Sequence, residues 1–163
     1  MGDAMSVMPV RVAATAACFV MVLAATAFAQ EYQTALQVSP EWGSRCITVP
    51  NGAFVPDQGL QMLECINSAA QTFTYDQAKR RLSIGGLCVD ANGGEPGAVV
   101  KLRPCDGSAN QAWKLEPKGT FANLIGTSGL CLDIRFGSKE SGAALQSWNC
   151  EGQPNQLWRF LRK

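Results

Sequence analysis

Four side chains in the last third of the sequence have the types and the spacing to bind a neutral, polyhydroxylated ring. They are Asp133, Gln146, Trp148 and Asn155. A carboxylate accepts hydrogen bonds from hydroxyl groups, an amide both donates and accepts them, and an indole offers an apolar face to ring C–H groups. Gln146 and Trp148 are two residues apart, so on a β-strand their side chains share one face. The set therefore predicts a sugar site.

The landmarks around these residues occur three times along the chain. Each repeat has a first cysteine, a second cysteine 17 to 19 residues later and a closing triplet, which is Gln-x-Trp or Gln-x-Phe. The first cysteines, Cys46, Cys88 and Cys131, are 42 and 43 residues apart. Self-similarity at a fixed period indicates one supersecondary unit used three times. We place the three repeats at approximately residues 32–75, 76–117 and 118–163.

The elements that must position these residues are short strands. Apolar and β-branched runs separated by Asn-Gly, Pro-Gly and Gly-Gly turns predict strands, and no window favours a long amphipathic helix. The clearest runs are 34–38, 47–49, 60–65, 81–84, 87–90, 99–102, 121–125, 130–134, 143–148 and 157–161. Four strands in each of three repeats give twelve strands. The sequence thus predicts an all-β protein, a β-trefoil of three repeats with pseudo-threefold symmetry.

The first 29 residues are predicted to be a secretory signal peptide. An apolar, alanine-rich run from Val12 to Ala29 follows Arg11 and ends in Ala27-Phe28-Ala29, a small-x-small cleavage pattern. A retained membrane anchor is the alternative, since the run is close to the minimum length of a membrane span. We expect cleavage near Ala29, which leaves a domain at residues 30–163. The mature chain is expected to be secreted to the periplasm or the medium and not to insert into a membrane.

The charge and the cysteine content of the chain indicate which kinds of partner and which compartment to expect. The formal net charge of the chain is +1, which gives no electrostatic reason to expect nucleic acid or an anionic membrane as partner. Without Cys18, which lies in the predicted leader, six cysteines remain, and an even number in an exported chain indicates disulfides. Pairing within each repeat treats all three alike and joins Cys46 to Cys65, Cys88 to Cys105 and Cys131 to Cys150. A zinc site is the weaker alternative, because the chain has no histidine.

These residues resemble those of the ricin-type β-trefoil lectins, also classed as carbohydrate-binding module family 13. The resemblance is carried by Cys-x-Asp, by the aromatic residue two before the second cysteine, and by the closing Asn-Gln-x-Trp, and it covers about residues 32–163. It implies that the sugar site of the third repeat consists of Asp133, Gln146, Trp148, Asn155 and Gln156. Within this set Gln156 is expected to steady the acid. The closing aromatics Phe73, Trp113 and Trp158 are expected to pack together near the threefold axis.

The other two repeats match this pattern less well. A possible second site consists of Asp90, Lys101, Arg103, Asn110 and Gln111. Arg103 replaces the aromatic platform and Lys101 stands where the third repeat has Gln146. Arg103 can stack weakly through its planar guanidinium, but the two cations reshape the site, and we expect it not to bind neutral sugars. Binding of a neutral sugar and selection of an acidic one are the alternatives. The first repeat has Thr48, Leu63 and Ala70 at the acid, aromatic and amide positions, and we expect it to be structural only.

Together these features predict a secreted lectin that binds glycans or polysaccharide without catalysis, cofactor or metal. Galactose-type and xylan-type sugars both fit the resemblance, and the loop from Arg135 to Gly142, which includes Phe136, is expected to choose between them. An enzyme is one rival, through a carboxylate pair that the sequence does not mark. A protein-binding β-trefoil, such as a protease inhibitor or a toxin's targeting subunit, is the other, because one fold can host several functions.

Overall fold

Twelve β-strands account for the regular structure of residues 31–163, the part of the chain that the computed structural model describes. They are β1 Glu31–Val38, β2 Cys46–Thr48, β3 Gln61–Leu63, β4 Phe73–Asp76, β5 Arg81–Ile84, β6 Leu87–Asp90, β7 Lys101–Pro104, β8 Trp113–Lys118, β9 Phe121–Gly126, β10 Cys131–Ile134, β11 Leu145–Trp148 and β12 Trp158–Arg162. Short 3₁₀ turns connect several of them. The all-β prediction and the number of strands are confirmed.

Six of these strands close into a barrel. β1 pairs with both β12 and β4, β4 pairs with β5, β8 with β9, and β9 with β12, all antiparallel. An isolated bridge between Arg81 and Ala112 joins β5 to the start of β8 and completes the ring. Closure removes the free sheet edges that would otherwise invite pairing with other chains.

The other six strands form three hairpins at one end of the barrel. β2 pairs with β3, β6 with β7, and β10 with β11. Bridges between neighbouring hairpins, Gly59 to Lys101, Gln61 to Ala144 and Val99 to Gln146, join the three into a cap. Each repeat thus supplies two strands to the barrel and one hairpin to the cap. A six-stranded barrel capped by three hairpins around a threefold axis is the β-trefoil that the 42-residue period predicts.

The barrel and the cap share one hydrophobic core, and the closing aromatics lie in it. Phe73, Trp113 and Trp158 are fully buried members of the same cluster. The indole N–H of Trp158 donates to the carbonyl of Leu132 at 3.0 Å, and that of Trp113 donates to the carbonyl of Val89 at 2.9 Å. Each indole thus ties the start of a barrel strand to the first strand of the hairpin in its own repeat.

Three disulfides lie within the repeats, joining Cys46 to Cys65, Cys88 to Cys105 and Cys131 to Cys150. In the chain-entropy account, loops of this length contribute roughly 3 kcal/mol each. No helix within residues 31–163 is long and apolar enough to cross a membrane. The predicted signal peptide, residues 1–29, lies outside the described residues.

Candidate functional site

A cleft of about 340 Å³ lies at the outer side of the β10–β11 hairpin. Its walls come from β10, β11, the 3₁₀ turn after β10, the loop after β11, and the first repeat. The lining residues are Trp42, Asp133, Phe136, Gly137, Gln146, Trp148, Glu151, Gln153 and Asn155. The cleft therefore brings together four of the five residues predicted for the third-repeat site, and Gln156 lies behind them.

Asp133 is at the floor of this cleft and is fixed by three amides. Its Oδ1 accepts a hydrogen bond from Gln146 Nε2 at 2.8 Å, and its Oδ2 accepts from Asn155 Nδ2 at 2.7 Å and from Gln156 Nε2 at 2.9 Å. Asp133 and Gln146 are also register partners in the hairpin. A carboxylate has about four lone-pair directions, so one remains on Oδ1. The carbonyl oxygens of Gln146 and Asn155 can supply further acceptors, because the N–H groups of these two amides already face the acid.

Burial sets the protonation of this carboxyl group. Asp133 is 2% exposed, and loss of solvation raises its pKa above the ordinary value of 3.8, with the nearby charge of Glu151 acting in the same direction. The hydrogen bonds from Gln146, Gln156 and Asn155 oppose the shift because they favour the ionised form. The amides thus hold a poorly solvated carboxylate ready for hydroxyl donors.

Trp148 provides the apolar wall, and both edges of its ring are in contact with neighbours. The indole N–H donates to Glu151 Oε1 at 3.3 Å. On the opposite side, a methyl group placed on Gly97 would lie 3.6 Å from Cζ3 of the ring, so the loop before β7 approaches the indole closely. The Gly97 N–H donates to the carbonyl of Ser147 at 2.7 Å and fixes this approach. The platform of the third repeat is therefore supported by a loop of the second.

Gln156 is fully buried and does not line the cleft. Besides its bond to Asp133, its Nε2 donates to the carbonyl of Asn149 at 2.7 Å, and its Oε1 accepts the N–H of Glu151 at 2.9 Å. The closing glutamines Gln71 and Gln111 make the same pair of bonds on either side of the second cysteine in their own repeats. Gln156 therefore positions the acid and the loop, and a ligand in the cleft meets its neighbours instead.

The second repeat has a cleft of about 410 Å³ at the matching place, lined by Asp90, Asn92, Gly93, Arg103, Pro104, Asp106, Ser108 and Asn110. Asp90 accepts hydrogen bonds from the Asn92 N–H at 2.7 Å and from Gln111 Nε2 at 3.3 Å. Lys101 is not part of the lining. The predicted residues are thus close together, but the acid is held by one backbone amide and one side chain rather than by three amides.

Lys101 and Arg103, the two cations of the possible second site, lie beside a carboxylate that the repeat pattern does not indicate. Asp57 Oδ1 is 2.9 Å from Arg103 Nη2 and 3.8 Å from Lys101 Nζ. The Asp57 N–H donates to the carbonyl of Leu102 at 2.8 Å, the same contact that Gly97 makes with Ser147 in the third repeat. The carboxylate of Asp57 therefore offsets the positive charge of Lys101 and Arg103, which is the charge that would attract an acidic sugar to this site.

In the first repeat the acid position is occupied by a hydroxyl that is used internally. Thr48 is buried, and its Oγ1 accepts from Gln71 Nε2 at 2.8 Å while donating to the carbonyl of Cys46 at 3.0 Å. Leu63 and Ala70 follow at the platform and amide positions. Across residues 31–163 no cluster of three or more His, Cys, Asp or Glu side chains is arranged to hold a metal ion.

Sequence reasoning missed three of the lining residues, Trp42, Glu151 and Gln153. Glu151 could have been found, because it is an acid immediately after the second cysteine, close in sequence to Asn155. Trp42 belongs to the first repeat and reaches the cleft only through the fold, where its indole N–H donates to the carbonyl of Gly137, 95 residues away.

Comparison with known proteins agrees with the fold. The family model of the ricin-type beta-trefoil lectin domain matches residues 81–163. A sequence search of curated proteins gave no significant match. Among solved structures, the designed 3-fold symmetric protein ThreeFoil is 22% identical with a TM-score of 0.74, covering 79% of this chain and 97% of its own.

Two natural structures show the same fold. The C-half of an earthworm R-type lectin in complex with GalNAc is 18% identical with a TM-score of 0.67, covering 81% of this chain and 99% of its own. A non-toxic homologue of type II RIPs from Momordica charantia (bitter gourd), in complex with α-methyl-D-galactoside, is 20% identical with a TM-score of 0.69. That match covers 81% of this chain and 48% of the other.

Proposed function

Because the chain belongs to the ricin-type β-trefoil lectin domain family, whose members bind carbohydrate, we propose that its third repeat binds a neutral sugar of the galactose or xylan type. The observation that supports this best is the environment of Asp133. An isolated buried carboxylate is unfavourable, and here three amide donors fix its oxygens at the floor of an open cleft beside an indole ring.

The chemistry of the cleft suits a pyranose ring. Two adjacent hydroxyls can donate to the free lone pair of Asp133 Oδ1 and to the amide oxygen of Asn155 or Gln146. Glu151 and Gln153 add polar groups at the rim. The C–H face of the ring then stacks on Trp148. The galactose derivatives bound by the earthworm lectin and the bitter gourd homologue make galactose-type sugars the first probes.

The proposal assigns one working site to the chain. The second repeat lacks an aromatic platform, and its Lys101 and Arg103 are paired with Asp57. The first repeat lacks the acid. A single site of this kind should have a dissociation constant near ~1 mM for a monosaccharide, so the protein should bind sugar without cross-linking polysaccharide.

We also propose that the protein acts after export and without catalysis. Its three disulfides suit an oxidising compartment. For catalysis, a glycosidase would need two carboxyl groups on either side of the bond to be cleaved. In this cleft Glu151 is engaged with the edge of Trp148 and Asp133 with three amides, an arrangement suited to binding.

A glycan array followed by titration calorimetry tests this function. The protein, produced in an oxidising compartment, should retain galactose- or xylose-terminated glycans, and α-methyl-D-galactoside or xylose should bind with a stoichiometry near one. If no glycan is retained and a protease or receptor is captured instead, the protein-binding alternative is correct. A stoichiometry near two would contradict the single-site assignment.

A further inference from the structure

Phe136 is the most exposed of the large hydrophobic side chains between residues 31 and 163, at 86%. Its backbone is also in the left-handed region, with φ 59° and ψ 18°. A bulky residue there is uncommon, since the conformation favours glycine, asparagine or aspartate. Asn51 and Asn92 have similar positive φ values in the loops that follow β2 and β6. Stability of the fold therefore gives no reason for a phenylalanine at this place.

The turn that carries Phe136 is fastened to the first repeat. Trp42 donates its indole N–H to the carbonyl of Gly137 at 3.1 Å. Arg45 donates to the carbonyl of Lys139, and Lys139 Nζ lies 4.4 Å from the centroid of the Trp42 ring. These contacts span more than ninety residues of sequence. These contacts fix the turn, and with it the exposed ring of Phe136, and strained positions of this kind concentrate at binding sites.

Phe136 and Trp42 line the same cleft as Asp133 and Trp148. The Arg135 guanidinium lies 4.9 Å from the centroid of the Phe136 ring and covers one of its faces. Because the residue is 86% exposed, most of the ring still faces solvent. The apolar surface of the cleft therefore extends beyond the sugar ring that Asp133, Asn155 and Trp148 can hold.

We propose that Phe136 is a second platform, which stacks on the neighbouring sugar ring of an oligosaccharide whose first ring occupies the Asp133–Trp148 part of the cleft. The ligand is then a chain of at least two neutral pyranose rings, and Trp42 is a positioning residue that acts through the turn. This inference rests on the proposed function and specifies its ligand.

The experiment compares monosaccharides with their disaccharides by titration calorimetry. The probes are α-methyl-D-galactoside with β-1,3-, β-1,4- and β-1,6-galactobiose, and xylose with xylobiose. At least one disaccharide should bind the parent about tenfold more tightly than its monosaccharide, the effect of burying roughly 50 to 60 Å² of apolar surface. Phe136→Ala should lose that gain and keep the affinity for the monosaccharide. Phe136→Tyr, which keeps an aromatic ring, should retain the gain in disaccharide affinity.

Two further variants separate positioning from general effects. Trp42→Phe keeps an aromatic ring and removes the N–H that holds the turn at Gly137, so it should reduce the disaccharide gain by a larger factor than it changes monosaccharide affinity. Ile66→Ala removes another exposed apolar side chain, 61% exposed and outside the cleft lining, and should change neither affinity. If monosaccharides bind and no disaccharide binds more tightly, the second platform is wrong and the proposed function stands. If neither kind of sugar binds, both are wrong.

Discussion

Replacing Asp133 with asparagine removes the charge of the proposed sugar site and preserves the shape of the side chain. An asparagine can keep the hydrogen bonds from Asn155 and Gln156 on its oxygen. Its new NH₂ group then faces Gln146, which can rotate its amide to accept. The buried network stays satisfied, so we expect the variant to fold, unlike an alanine variant, which would leave three amide donors without their acceptor.

The loss of affinity follows from the kind of hydrogen bond removed. A hydrogen bond to a charged group contributes about 1.5 to 3 kcal/mol, and one between neutral groups about 0.5 to 1.5 kcal/mol. A difference of about 1.4 kcal/mol is a factor of ten in affinity. The rotated Gln146 also presents its N–H group to the cleft in place of the amide oxygen that could accept from a sugar hydroxyl. Asp133→Asn should therefore weaken sugar binding by at least about tenfold.

Titration calorimetry with α-methyl-D-galactoside measures this loss, and thermal unfolding checks that the variant is folded. Asp90→Asn is the matched control, because it makes the same chemical change in the second repeat. It should leave affinity and stoichiometry as in the parent. Parent-like binding by Asp133→Asn, or a loss shared equally between the two variants, would refute the assignment of the site to the third repeat.

Four other outcomes are expected. Trp158→Ala should lower the free energy of unfolding by roughly 3 to 5 kcal/mol in urea denaturation, because it empties a fully buried site; a parent-like midpoint would contradict the structural role of the closing triplet. Sugar binding should weaken as pH falls through a range above 3.8, because burial raises the pKa of Asp133 and binding needs the carboxylate. In that range the unbound folded state holds more protons than the unfolded state, so this group's contribution to the free energy of unfolding decreases as pH rises. Asp57→Gly should free Arg103 and create affinity for glucuronic acid, measured by calorimetry; no binding would show that Asp57 is not what prevents it. EDTA should leave sugar retention on a column unchanged, and loss of retention restored by calcium would overturn metal independence.

Much of the fold is predictable because the same residue types recur at one period. Each repeat uses its two cysteines for a disulfide, its closing glutamine to hold the loop around the second cysteine, and its closing aromatic to fill the core. The repeat alone therefore predicts the trefoil and the burial of Trp113 and Trp158. Strand ends were less accurate. The predicted strand 99–102 lies at 101–104, because Val99 makes only an isolated bridge to the neighbouring hairpin. β4 and β8, which begin at closing aromatics, were counted but not located.

The candidate site was predictable only where it lies within one repeat. Asp133, Gln146, Trp148 and Asn155 occur within 23 residues and follow a strand pattern, so their proximity could be expected. Trp42 and Asp57 could not be found in this way, because each reaches a neighbouring repeat through a loop whose path depends on the whole cap. Pattern reasoning treats repeats as separate units, whereas in the structure Trp42 of the first repeat lines the cleft of the third, and Asp57 of the first repeat pairs with Arg103 of the second.

The pairing of β1 with β12 has a consequence for how the chain folds. Thr34 is the partner of Arg162, so this contact of the barrel joins residues that are almost the full length of the domain apart. Such a contact has a high loop-closure entropy and slows folding relative to hairpins formed from neighbouring strands. β12 is synthesised after the other eleven strands of residues 31–163, and until then β1 lacks one of its three strand partners, the other two being β2 and β4. Trp42 follows β1 and Asn155 precedes β12, so we expect the third-repeat cleft, which both residues line, to be completed together with this pairing.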